Sequence, residues 1–246
     1  MNDPVSQSIC ANSADLFPNL VTLGSIAAFV QILGHVFYFR HLFQNSVQPN
    51  AVSFLMFAYG SAIVTFLQWR GGASFAILML PVVCMLLDIA ICIFCLRKPA
   101  THPIDRLEKI AFAIDIGLTL LYLVLSSLDQ TERNLVIPFL IATNLRSLVS
   151  FFPLIRSTWR SPERELPMPW LIWSMAYVFL AIEVLHSSDG QVTILLLYPA
   201  VNLTLHLAVW FLALRKPVEE WTFGTQTAML LSASGTFSNS TIRQVH

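Results

Sequence analysis

The sequence predicts an all-α membrane protein with seven transmembrane helices, because of its composition and the spacing of its charged residues. Hydrophobic residues make up 56% of the 246 residues, charged residues only 11%, and the mean hydropathy is +0.67. A water-soluble domain of this length would not hide so much apolar surface. The charged residues occur in short groups, and the apolar runs between them are long enough to cross a hydrocarbon core of about 30 Å.

Each apolar run is expected to form a helix, because backbone polar groups in lipid must be hydrogen-bonded within their own segment. The first run is expected to remain in the mature protein, since the residues before it contain no Lys or Arg and no apolar core of a cleavable signal. The predicted spans are residues 20–39, 51–69, 73–96, 110–128, 135–155, 170–185 and 192–214.

The basic residues are distributed unevenly between alternate loops, which predicts the orientation in the membrane. The first, third and fifth loops and the C-terminal tail carry 11 of the 14 Lys and Arg residues. The opposite loops carry only Arg70 and Arg133, and Arg146 lies within the fifth span. We therefore expect a multi-pass protein of the plasma membrane, with its N-terminus outside and its C-terminus in the cytoplasm.

An internal repeat appears when the chain is compared with itself at an offset of 118 residues. Residues 49–99 align with 167–217 without gaps, and 14 of the 51 pairs are identical. Apolar composition alone would not place prolines, a tyrosine and a basic ending at one common offset. Among the identical pairs are Pro49/Pro167, Tyr59/Tyr177, Gly72/Gly190, Pro81/Pro199 and the Leu-Arg-Lys-Pro sequences at 96–99 and 214–217.

The repeat predicts two parallel three-helix bundles joined by a linker helix, a 3+1+3 arrangement. Residues 20–97 would form the first bundle, 98–134 the linker helix with its flanking loops, and 135–217 the second bundle. The odd linker crossing makes the bundles parallel, related by a pseudo-two-fold axis along the membrane normal. Residues 1–19 would be an extracellular tail, and the Ser- and Thr-rich residues 218–246 a disordered cytoplasmic tail.

Four ionisable residues lie inside the predicted spans, where such side chains are costly and tend to be functional or tightly paired. They are Asp88, Asp115, Arg146 and His206. Counted from the outer ends of their spans at about 1.5 Å per residue, all four lie within roughly 6 Å of one depth. We expect a polar cluster near the midplane. Either it takes up a proton on Asp88 or Asp115 and couples proton and solute movement, or it is a static ion-pair network that fixes the linker helix.

Prolines inside spans predict hinges, because proline lacks an amide proton and clashes with the preceding turn. Pro81, Pro153 and Pro199 are the hinge candidates, whereas Pro49 and Pro167 are expected to start helices.

Other polar residues predict a pocket rather than an enzyme. Tyr59, Tyr177 and Asn202 would face a pocket or hydrogen-bond to neighbouring helices, and Glu183 is expected at the outer membrane interface. No nucleophile–base pair, metal-ligand triad or phosphate-binding loop appears, so we expect no enzymatic activity, metal or other cofactor. The expected partners are a small-molecule solute and the lipid bilayer, without nucleic acid, and a homo-oligomer is compatible with the sequence.

Over roughly residues 20–217, the chain resembles the SWEET and PQ-loop superfamily of small-solute transporters. Residues 46–60, SVQPNAVSFLMFAYG, are similar to the serine-containing loop and second helix of half-size SWEET proteins. Asn202 matches the family's pocket asparagine on the seventh helix, and Cys84 occupies the equivalent position in the first repeat. Where the family has Pro-Gln in the first helix, this chain has Gly34-His35.

The resemblance implies a carrier that moves a small polar solute, such as a sugar or another metabolite, by alternating access. Its substrate-binding residues would be Asn202, Cys84, Tyr59, Tyr177 and Trp173. The sequence WLIW at 170–173 is similar to the Trp-x-x-Trp of vitamin-precursor carriers, and it also fits an ordinary interfacial aromatic belt. An amino-acid or vitamin-precursor carrier of the superfamily, or a non-transporting receptor or scaffold, are the alternatives.

Overall fold

The computed structural model describes residues 22–47, 49–97, 106–128, 132–187 and 192–215. The predicted tails at 1–19 and 218–246 lie outside the described residues, as do parts of the connections on both sides of the fourth helix.

The described residues form seven α-helices and one short 3₁₀ helix, without a strand among them. Six of the α-helices are long and apolar enough to cross a membrane, which makes the chain a multi-pass, all-α membrane protein. The exception is the fourth helix, whose apolar stretch, Phe112–Ser127, is shorter. The helices are α1 Leu23–Phe43, α2 Ala51–Arg70, α3 Phe75–Leu96, α4 Arg106–Leu128, α5 Glu132–Arg160, the 3₁₀ helix Pro162–Arg164, α6 Pro167–Ser187 and α7 Val192–Ala213.

Local signals in the sequence account for several helix ends. The side chain of Thr22 accepts a hydrogen bond from the Ser25 amide at 3.1 Å and caps α1. Asn50 caps α2 in the same way, accepting from the Val52 and Ser53 amides at 3.0 and 3.3 Å. These caps pair amides that have no partner within the helix. At the start of α6, Pro167 takes the first position, as expected.

The three hinge candidates lie inside helices: Pro81 in α3, Pro153 in α5 and Pro199 in α7. Each one removes a backbone hydrogen bond from its helix. Their positions agree with the sequence, and their role as hinges stays a prediction.

Six of the helices pack side by side in a ring, and α4 lies beside it. Helix α3 packs against both α1 and α2, and α7 packs against both α5 and α6. The ring is closed where α1 contacts α6 and where α2 contacts α5, and these two contacts are called the α1–α6 seam and the α2–α5 seam below. Helix α4 packs against α5 and, over a smaller area, against α2.

Large apolar side chains cover the outside of the structure. Phe75 is 78% exposed, Leu96 72% and Phe43 66%, and many residues of α4 and α5 are exposed in the same way. In water this surface would favour aggregation, whereas in a bilayer it contacts lipid at no cost.

Glycines allow α1 to approach its neighbours closely. A Cβ atom at Gly24 would overlap the backbone of Ala76 at the start of α3. The Gly24 amide also donates a hydrogen bond of 3.1 Å to Glu183 Oε2 on α6. Ten residues further along α1, a Cβ at Gly34 would lie 2.5 Å from the indole ring of Trp173. The position of α1 therefore depends on the absence of side chains at two places.

We predict that Gly24→Ala lowers the free energy of unfolding by about 1–3 kcal/mol, because the added methyl group meets backbone that has no rotamer to change. Gly117→Ala is the matched control, since a Cβ atom added at Gly117 in α4 would meet no neighbouring helix or side chain within 4 Å. The control should stabilise the protein slightly, by roughly 0.5–1 kcal/mol. Unfolding in mixed detergent micelles measures both, and a Gly24→Ala protein as stable as the wild type would contradict the close α1–α3 contact.

Candidate functional site

A cavity lies between six helices, and it is called the central cavity below. Its lining comes from α1, α2, α3, α5, α6 and α7, and it has about 510 Å³ of empty space, including open solvent at its mouth. Seven residues singled out from the sequence line it: Cys84, Asp88, Arg146, Trp173, Tyr177, Asn202 and His206.

Two other predicted residues, Tyr59 and Asp115, lie in the walls of a second cavity of about 460 Å³ between α2, α4 and α5. This second cavity is lined mostly by apolar side chains. Arg146 borders both cavities, so its side chain separates the central cavity from the second cavity beside α4. Tyr59 is therefore not brought to the same pocket as Tyr177.

His35 on α1 connects three helices at the central cavity. Its Nε2 atom lies 3.3 Å from Asp88 Oδ1 on α3. On the other side, Trp173 Nε1 on α6 donates a hydrogen bond of 3.0 Å to His35 Nδ1. An accepting Nδ1 carries no proton, so a neutral ring in this arrangement has its proton on Nε2, directed at the carboxylate.

The Nδ1 atom of His35 has a second neighbour, the backbone carbonyl oxygen of Gln31 at 2.9 Å. A carbonyl only accepts, so this contact is a hydrogen bond only when Nδ1 is protonated. A protonated Nδ1 and the Trp173 indole N–H are both donors and do not bond to each other. A ring protonated only on Nε2 is thus bonded to α6, whereas a ring with a proton on Nδ1 is bonded to its own helix.

His35 is absent from the cluster predicted from the sequence, although the rule used for the other residues would have found it. It lies 15 residues from Leu20 at the outer end of the first span, as Asp88 lies 15 residues from Ala73. The sequence signal for His35 was an ionisable side chain at the same depth in its predicted span as Asp88.

Asp115 and Arg146 form a buried ion pair between α4 and α5, through Oδ2 and Nη1. Gly60 on α2 leaves room for it, since a Cβ there would overlap the guanidinium group. Nearby, the Tyr59 hydroxyl donates to Thr119 Oγ1 at 2.5 Å, which joins α2 to α4. These contacts fix the linker helix, and the predicted four-residue cluster is divided into separate pairs: Asp115 with Arg146, and Asp88 with His35.

The 118-residue offset relates Asp88 to His206, so the two are repeat mates. His206 does not contact Asp88 in the described part of the protein and lies instead among aromatic rings. Its ring centroid is 5.1 Å from that of Phe151, 5.3 Å from that of Trp170 and 4.9 Å from that of Tyr177. Its Nδ1 atom is 2.7 Å from the backbone carbonyl oxygen of Asn202, one turn earlier. His206 thus contributes to the aromatic wall of the cavity.

The side chains of Asn202 and Cys84, which are predicted to bind substrate, contact other groups of the protein. Asn202 Nδ2 donates to the Tyr198 carbonyl oxygen at 2.9 Å. Cys84 Sγ lies 3.7 Å from the Tyr177 hydroxyl. Both residues line the cavity, at positions related by the repeat.

Two buried glutamates hold the α1–α6 seam near its ends. Glu183 accepts the Gly24 amide and is only 7% exposed, so it is packed against α1 near the end of α6. Glu165, just before α6, accepts from the Trp170 indole at 3.1 Å and from the Tyr38 hydroxyl at 3.4 Å. Together with the His35–Trp173 bond, polar contacts tie α1 to α6 at three levels.

Three polar atoms of residues that line the central cavity have no hydrogen-bond partner in the described part of the protein. They are Gln31 Oε1, an acceptor on α1, Arg146 Nε, a donor on α5, and the Tyr198 hydroxyl on α7. Buried polar groups are nearly always paired. A molecule bound in the cavity can complete their hydrogen bonding.

No protein-family model, curated protein or solved structure matches the chain.

We predict that Asp115→Asn and Arg146→Gln each lower the free energy of unfolding by about 3–5 kcal/mol, because each leaves the other charge buried without its partner. The double variant should lose clearly less than the two single effects together. Glu163→Gln, an exposed carboxylate on the 3₁₀ helix, is the control and should stay within about 0.5 kcal/mol of the wild type. Additive single effects in a double-mutant cycle would show that the two side chains do not interact.

Proposed function

We propose that the protein is a carrier that moves a small polar solute across the plasma membrane by alternating access. It would be a divergent member of the SWEET and PQ-loop superfamily, with two parallel three-helix bundles and α4 as a seventh crossing. The observation that carries the proposal is the central cavity, which is lined by six helices, from both proposed bundles, and contains charged, amide and aromatic side chains.

The helix contacts support the bundle arrangement. The 118-residue offset relates α1 to α5, α2 to α6 and α3 to α7. Exchanging related helices converts the α1–α6 seam into the α2–α5 seam, and both contacts occur. Carriers with such parallel repeats bind their solute between the repeats. The cavity lies there, and two pairs of repeat mates, Cys84 with Asn202 and Asp88 with His206, line it.

The α1–α6 seam supplies contacts that would change when one bundle rocks against the other. Opening towards the outside would break the Glu183–Gly24 hydrogen bond, and opening towards the cytoplasm would separate Tyr38 from Glu165. The prolines Pro81 and Pro199 lie three residues before Cys84 and Asn202, so bending there would move cavity residues.

The neighbours of His35 support a link between proton and solute movement. When His35 takes up a proton, its Nδ1 becomes a donor to the Gln31 carbonyl and loses the bond from Trp173. One polar contact between the proposed bundles is then lost, and protonation would favour an open seam. In this proposal His35 and Asp88 couple proton movement to solute movement, and Asp115 and Arg146 have a structural role.

A receptor that uses a basic pocket is less well supported. Arg146 is the cationic group of the cavity lining, and its charge is already compensated by Asp115. An amino-acid or vitamin-precursor carrier would use the same cavity and is distinguished by its solute.

Uptake into proteoliposomes tests the proposal with labelled glucose, sucrose, lysine, leucine and nicotinamide riboside, with and without a pH gradient. We predict saturable uptake of one solute that responds to the gradient. His35→Gln should remove that response, because a glutamine amide can bond to Trp173 and Asp88 but takes up no proton.

His186→Gln is the matched control, since His186 is exposed at the end of α6, and it should respond to pH like the wild type. Folded protein that moves none of the solutes under either condition would contradict the carrier function. A His35→Gln protein with an unaltered pH response would contradict the coupling role of His35.

A further inference from the structure

We propose that the central cavity binds a small organic cation, with its positive nitrogen between the Asp88 carboxylate and the aromatic wall. The proposal names the class of solute for the proposed carrier. Transport of the cation rests on the carrier function, whereas binding of the cation is measured separately.

The two charged side chains of the cavity lining, Arg146 and Asp88, differ in their counter-charges. Arg146 is compensated by Asp115 behind it. Asp88 faces His35, which is neutral while its Nδ1 accepts the Trp173 N–H. With Asp88 ionised and His35 neutral, the cavity lining has one negative charge without a counter-charge. A buried carboxylate without a counter-charge is costly in an apolar surrounding, so a ligand with one positive charge is favoured.

The walls of the cavity suit such a ligand. Aromatic side chains from four helices line it: Phe57, Phe151, Trp170, Trp173, Tyr177 and Tyr198. The indoles of Trp170 and Trp173 pack edge to face with their centroids 4.9 Å apart, so their planes point in different directions. Ring faces attract cations, most strongly when the cation has lost its water, and such walls recognise quaternary ammonium groups.

Two of the three unpartnered atoms, on α1 and α5, would bond the rest of the ligand. Gln31 Oε1 lies on the same helix as His35, one turn away, and would accept an O–H or N–H group. Arg146 Nε, on α5, would donate to a ligand oxygen. Choline and related amino alcohols combine one positive nitrogen with one hydroxyl group, which can both donate and accept.

Other solute classes fit this lining less well. A neutral sugar leaves the Asp88 charge uncompensated. A zwitterion brings a second carboxylate into a cavity that already has a surplus of negative charge. Both are therefore alternatives that the same experiment must separate from a cation.

Calorimetric titration of the purified protein with choline tests the proposal. The uncharged analogue 3,3-dimethyl-1-butanol has nearly the same shape, and betaine supplies the zwitterion. We predict that choline binds at least about tenfold more tightly than either compound, from the charge interaction with Asp88 and the rings. Asp88→Asn should weaken choline binding by at least about tenfold, whereas Glu163→Gln, an exposed carboxylate outside the cavity, should bind choline like the wild type.

The comparison of choline with its uncharged analogue needs no variant, so the test holds even if Asp88→Asn does not fold. Choline binding no tighter than that of the analogue, or unaffected by Asp88→Asn in a folded protein, would overturn the proposal. If glucose or leucine is transported while choline does not bind, the cation site is wrong and the carrier function stands. If choline binds through Asp88 while no solute is transported, the site stands and the carrier function is wrong.

Discussion

The pairing of two carboxylates inside an apolar helix bundle is the constraint on which the rest of the structure depends. Asp88 and Asp115 are buried on apolar helices, where a carboxylate is stabilised by a partner from another helix. Asp88 meets His35 and thereby joins α3 to α1, and Asp115 meets Arg146 and joins α4 to α5. In a bilayer the hydrophobic effect does not drive helices together. Polar contacts between helices therefore help to determine which helices become neighbours.

The two pairs have different consequences because their partners differ. An arginine keeps its charge under all ordinary conditions, so Asp115 and Arg146 form a fixed connection. His35 contacts Asp88 and also bonds to Trp173 across the α1–α6 seam. One side chain therefore joins the carboxylate of the central cavity to the contact between α1 and α6.

The hydropathy of the sequence predicted the helices better than the contacts between them. Apolar runs are local, and they placed all seven helices and the proline-marked start of α6. The fourth helix shows the limit, since its charged first turns leave an apolar stretch shorter than the others. The bonds of Glu183 to Gly24 and of Trp173 to His35 join residues 159 and 138 positions apart. A composition profile contains no information on such pairs, so the buried role of Glu183 was missed.

The central claim, that the cavity opens in turn to both sides of the membrane, is tested most directly by thiol labelling. Ser61, which lines the cavity, is replaced by cysteine in a protein whose four native cysteines have been removed. A membrane-impermeant reagent is then applied to one side at a time, with cysteine at the lipid-facing Leu120 as the control. We predict labelling at position 61 from either side and none at position 120. Labelling at position 61 from one side only, or from neither, would contradict alternating access.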